Sequence, residues 1–106
     1  MFELTQSAAE QVRAASKEGG TEGMALRLAA KMKQDGSIDY LMGFDEYKDE
    51  DIRVTSNGVE VVMAPEYVPL LEDAVMDFVE LEQGDFRFIF MNPLDANYEP
   101  PPKKRS

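Results

Sequence analysis

Apolar positions near the start of the chain change period. Phe2 and Leu4 alternate with polar neighbours, as in a short strand. Ala8, Val12 and Ala15 then recur at helical intervals and make a narrow stripe. Ser7-Ala8-Ala9-Glu10 has capping-box spacing, with Thr5 the alternative cap. Gly19-Gly20 supplies the stop. Such small stripe residues predict a helix packed closely on a sheet.

From Met24 to Ala30 the pattern predicts a strand, and Ile38, Tyr40, Met42 and Phe44 alternate along a second one after a polar loop. An acidic connection, Asp45 to Asp51, follows. Between the β-branched runs 52–55 and 59–62 lies Asn57-Gly58, the preferred two-residue hairpin turn, because both turn positions need positive φ. Pro65 opens a short helix reaching Ala74, with Tyr67, Leu70 and Leu71 facing inward and Pro69 keeping it short. Residues 75–81 and 86–90 read as two further strands, and Phe86, Phe88 and Phe90 share one face expected to anchor the core. Periodicity ends after Asn92-Pro93, so the expected organisation is one domain over 1–93 and a disordered tail over 94–106. A helix, strands, a short helix and more strands predict an α+β fold with a mixed or mostly antiparallel sheet.

Composition narrows the chemistry. The 106 residues suffice for one small core. No apolar run approaches the ~18 residues of a membrane span. The start of the chain has no basic region followed by an apolar segment, so a cytoplasmic location is expected. The net charge is −10. Lys103, Lys104 and Arg105 lie in an acid-free ending, which leaves 21 acids against 8 bases in the body. That body repels phosphate backbones and anionic lipid, so nucleic acid and membrane are not expected partners, whereas a basic protein surface is.

The chain contains neither Cys nor His. Soft metals and iron–sulfur clusters are held mainly by thiolate and then imidazole, and nucleophilic triads need the same groups. Neither a catalytic site nor a bound cofactor is expected. Any metal site would be built from oxygen ligands. Asp45 to Asp51 fails the calcium-loop pattern, since Glu50 and Ser56 stand where Gly and Glu are required. A solvated connection is expected there instead. The methionines, six of them on or beside strands, show no cluster and are read as core filling. Lys33, Gln34, Asp35 and Gly36 in the polar loop, and Lys103, Lys104 and Arg105 behind Pro100-Pro101-Pro102, are the candidate interaction residues.

The segments LTQSAAEQV, LRL, IDYLMGF, NGVEVVMAPEYVPLLEDAVMDFV and FIFMNP, in this order and spacing, resemble the A-type iron–sulfur carriers (IscA, SufA and HesB proteins) from Leu4 to Pro93. The resemblance implies the IscA-like fold. It also implies three cysteine ligands, one in the loop after LRL and a C-G-C pair after the Asn-Pro. Here those positions fall on Asp35 and near Glu99 to Pro101, so the resemblance makes Asp35, Asp39 beside it and Glu99 the weak candidates for a site of oxygen ligands. Asp35-Gly36 is also an ordinary turn pair, and that reading is preferred. The chain further resembles the cysteine-free DsrR subtype of sulfur-oxidising bacteria. That likeness implies an accessory or regulatory role in dissimilatory sulfur oxidation, a partner from the iron–sulfur or sulfur-oxidation machinery, and a monomer or weak dimer.

Overall fold

The computed structural model describes residues 1–96. Two sheets enclose the core. A short strand β1 (Glu3–Leu4) leads into helix α1 (Gln6–Glu18), followed by β2 (Ala25–Met32), β3 (Ile38–Asp45), β4 (Ile52–Ser56) and β5 (Val59–Met63). A 3-10 turn, Pro65–Tyr67, runs into α2 (Val68–Leu71), and β6 (Val75–Glu82) and β7 (Asp85–Met91) complete the order. The larger sheet has the order β3-β2-β5-β4, the smaller β1-β6-β7.

Both sheets are mixed: β2 and β5 are parallel, as are β1 and β6, and the remaining pairs are antiparallel. On β2 the even positions Leu26, Leu28 and Ala30 point into the core, where Val61 and Met63 of β5 stand beside them. The expected turn closes the β4–β5 hairpin, with φ +49° at Asn57 and +83° at Gly58. Helix α1 buries Ala8, Ala9 and Val12 and packs against β6. Its small side chains let the helix backbone approach the sheet closely.

Four sequence expectations need correction. Thr5, not Ser7, caps α1: its hydroxyl accepts the Ala8 N–H (3.1 Å). The Ser7 hydroxyl instead donates to the Phe78 carbonyl (2.9 Å), tying the helix start to β6. The second helix does not reach Ala74; a 3-10 turn, Pro65–Tyr67, and one α turn, Val68–Leu71, are all that form, and Pro69 withholds the N–H that would join them into one α-helix. Leu71 is fully buried there, while Tyr67 and Leu70 pack partly buried on the core.

Phe86 does not anchor the core. It is 55% exposed, whereas Phe88 and Phe90 are half-buried against the core. The phenylalanine row runs outward along β7, beyond the elements that cover its inner end. Nor are the methionines uniformly core filling. Met63 and Met76 are buried, but Met24, Met32 and Met42 lie at strand ends or on the edge strand and are largely exposed.

Candidate functional site

The loop singled out by sequence is a tight turn between β2 and β3. The Lys33 N–H donates to the Ser37 carbonyl (2.8 Å), and the Gly36 N–H to the Lys33 carbonyl (3.0 Å). Asp35 turns back into the loop: one carboxylate oxygen accepts from the Ser37 hydroxyl (2.6 Å) and from the Ser37 N–H (2.9 Å). These bonds hold the Asp35 carboxyl below the usual range, the hydroxyl contributing most. Ser37 itself is buried.

The chain returns to this turn after β7. The Asn92 amide donates to the Leu70 carbonyl (2.6 Å), and its oxygen accepts the Leu94 N–H (3.0 Å). The Ala96 N–H then donates to the Gly36 carbonyl (2.9 Å). Asn92 is 1% exposed and ties α2 to the segment after β7, while the Ala96–Gly36 bond joins that segment to the β2–β3 turn. Gly36 has φ +86°, and a Cβ there would stand 3.2 Å from the Ala96 Cβ. Gly36→Ala is therefore expected to cost about 1–2 kcal/mol. It should also raise the hydrogen-exchange rate of the Ala96 amide. Gly43→Ala, with open space at its Cβ, should leave the urea midpoint within about 0.5 kcal/mol of the parent.

Beside the turn, Tyr40 of β3 stacks on Phe90 of β7, ring centroids 4.1 Å apart and planes 6° from parallel. Among the described residues its buried hydroxyl has no hydrogen-bond partner. Burial pushes the phenol pKa up. Asn92 is near enough to oppose that shift in part. Around the edge of the larger sheet, Ala29, Lys31, Asp39, Tyr40, Leu41 and Tyr67 line a shallow cleft of about 570 Å³ in which Leu41 is 72% exposed.

The two candidate ligands described do not converge. Asp35 is engaged with Ser37, while Asp39 is exposed on β3 and forms an ion pair with Lys33 (3.5 Å). Among the described residues no group of three or more acidic side chains has metal-binding geometry. Glu99, Lys103, Lys104 and Arg105, with nearly all of the expected disordered tail, lie outside the described residues.

Sequence reasoning missed an ion-pair cluster at the other end of β2. Arg27 donates from Nε to Asp45 (2.7 Å), from Nη1 to one oxygen of Asp51 (2.8 Å), and from Nη2 to the other oxygen and to the Glu46 carbonyl (3.1 Å). The Asp51 side chain is 4% exposed and also accepts the Lys48 N–H (2.8 Å). Its pKa falls to about 2, chiefly because of the Arg27 hydrogen bonds. The connection expected to be merely solvated is thus pinned at Asp51. The available signal was a lone arginine inside the apolar run LRLAA, which needs acids nearby.

With this geometry in view, the likeness to known proteins is informative. The "Iron-sulphur cluster biosynthesis" family profile matches residues 1–98. The chain belongs to the iron–sulphur cluster biosynthesis family. Among its relatives, the iron-sulfur cluster insertion protein ErpA of Ruthia magnifica subsp. Calyptogena magnifica is 34% identical over 91 residues, covering 85% of this chain and 77% of the relative. The iron-binding protein IscA of Yersinia pestis (strain Pestoides F) is 32% identical over 97 residues, covering 89% and 87%. A crystal structure of IscA with the [2Fe-2S] cluster superposes with a TM-score of 0.73 at 28% identity, covering 88% of this chain and 86% of that one.

The expected IscA-like α+β fold is therefore correct. The donor set of the chain is limited to oxygen, amine, guanidinium and thioether groups. Thiolate and imidazole are absent from all 106 residues, and the carboxylate of Asp35 is turned onto Ser37. Such a set does not fit an iron–sulfur cluster.

Proposed function

We propose that this protein is a non-enzymatic interaction module of the iron–sulphur cluster biosynthesis family, acting by binding a protein partner and not by carrying metal. The observation that carries this reading is the β2–β3 turn. It is kept as a well-bonded structural element in which Asp35 is satisfied internally by Ser37, in a chain without Cys or His. The cysteine-free composition also supports a DsrR-like accessory or regulatory role in dissimilatory sulfur oxidation. In this reading the chain works in the cytoplasm as a monomer or weak dimer, with a partner from the iron–sulfur or sulfur-oxidation machinery. The candidate contacts are Lys33, Gln34, Asp35 and Gly36 on the turn, with Lys103, Lys104 and Arg105 beyond it. The proposed domain boundary follows Pro93, although Ala96 is still tied to Gly36.

Anaerobic incubation with Fe²⁺ and sulfide, followed by desalting, tests the central claim. The purified protein should emerge colourless, with iron far below one atom per chain. Stoichiometric iron that disappears in Asp35→Ala would establish carboxylate-based carriage and overturn the proposal.

A further inference from the structure

The exposed end of the phenylalanine row opens into a cleft between the two sheets. The larger sheet ends in β3 and the smaller in β7. These edges meet through the Tyr40–Phe90 stack and part beyond it. Val12, Ala15, Leu26, Met42, Phe44 and Phe88 line a narrow, almost wholly apolar cleft of about 120 Å³. Next to it the ring row continues outside the cleft, Phe78 lying 4.8 Å from Phe88 and 5.8 Å from Phe86 between ring centroids. Phe86 and Met42 remain 55% and 43% exposed. Aromatic and methionine side chains in one adaptable slot are the composition of a binding surface.

The rim is acidic toward the β6–β7 end, whereas Arg13 and Lys17 of α1 line the adjoining hollow that shares Val12, Leu26 and Phe44. Glu80 stands directly across from Phe86 in the β6–β7 register, on the same face of the sheet. Glu82 and Asp85 pair at the bulged hairpin end, and Asp85 belongs to the other face. Glu18 lies one helical turn beyond Ala15. Arg87 points to the opposite face of β7 and is bonded to Asp85 (3.1 Å). An apolar slot with an acidic rim favours an occupant with apolar side chains flanked by Lys or Arg.

We propose that the β3–β7 cleft is the docking groove for such a basic, amphipathic segment of a partner protein. Its apolar side chains enter between Met42 and Phe88, and its cations meet Glu80 and its neighbours. This inference deepens the binding reading above by naming its surface and the chemistry of its partner.

The test titrates the full-length ¹⁵N-labelled protein with a synthetic amphipathic Leu/Lys peptide and, separately, with a Leu/Glu peptide of equal length. The Leu/Lys peptide is expected to shift the amides of Met42, Glu80, Phe86 and Phe88, and the Leu/Glu peptide to shift none of them. Phe86→Ser and Glu80→Lys should each weaken binding about tenfold or more. Both sites are exposed, so the urea midpoint should fall only modestly, Phe86→Ser giving up its stack on Phe78 and Glu80→Lys the bond from the Gly84 N–H (2.8 Å). Equal response to both peptides, shifts confined to the Leu41 face, or full affinity in Phe86→Ser would overturn the proposal. Groove shifts that grow with protein concentration alone would overturn it in favour of a second copy. Iron retention is measured without peptide, so failure of the groove and failure of the non-metal reading are separable.

Discussion

Phe2→Ala is expected to cost about 3–5 kcal/mol of folding stability, one of the two largest single-residue losses predicted for this protein. Phe2 is 1% exposed in the core. It also anchors β1, which joins the two sheets. The Glu3 N–H donates to the Ala74 carbonyl (3.1 Å), and Leu4 pairs with Met76 on β6. From the hairpin of the larger sheet, the Ser56 hydroxyl accepts the Leu4 N–H (3.0 Å), and the Asn57 amide donates to the Leu4 carbonyl (2.8 Å). Removing the ring leaves a cavity and loosens this junction. With a urea m-value of about 1–2 kcal/mol/M for a domain of this size, the midpoint should fall by roughly 2 M or more. Phe86→Ala, made in parallel, should lose less than about 1 kcal/mol, because that ring already faces water over half its surface. Similar losses in the two variants would show that the exposed end of the row is covered in solution.

The second large effect is expected for Arg27→Met, at about 2–3 kcal/mol near neutral pH. The substitution retains much of the aliphatic stem but leaves Asp51 almost buried without its main partner. The pH dependence provides the sharper check. The folded-state pKa of Asp51 is about 2, below the ordinary 3.8. Its ion-pair contribution is thus complete above about pH 4 and is lost as pH falls through about 2. Asp45 is shifted in the same direction, first by the Glu46 N–H and then by Arg27. The parent protein should therefore lose stability between these values. Arg27→Met should lack most of that acid limb, and the gap between the two urea midpoints should narrow steadily toward pH 2. A gap independent of pH would assign the role of Arg27 to packing alone.

Local chemistry made parts of this fold legible in the sequence. Asn57-Gly58 marked its hairpin because few other pairs accept two positive φ values in succession. Alternation along Ile38 to Phe44 marked β3 for a similar reason. What stayed hidden lay in relations between distant segments. The parallel pairings of β2 with β5 and of β1 with β6 leave no turn signature. Phe86, Phe88 and Phe90 have the same residue type and spacing, yet differ in burial because α1 and β3 cover only one end of the row. The β2–β3 turn could be located from Asp35-Gly36, but its attachment to Ala96 could not, because that bond joins two backbone groups and asks nothing specific of either side chain except room at Gly36.

The β1–β6 pairing also constrains how the protein is made. Thr5 and Asp77 are hydrogen-bonded across 72 positions of sequence, so the residues that seal the small sheet leave the ribosome long before their partners do. Until β6 emerges, Phe2 and Leu4 have no sheet to join, and the nascent chain must keep two of its most apolar side chains from mispairing. Emergence of the chain through Asp77 is thus the earliest point at which the pairing of β1 with β6 can close.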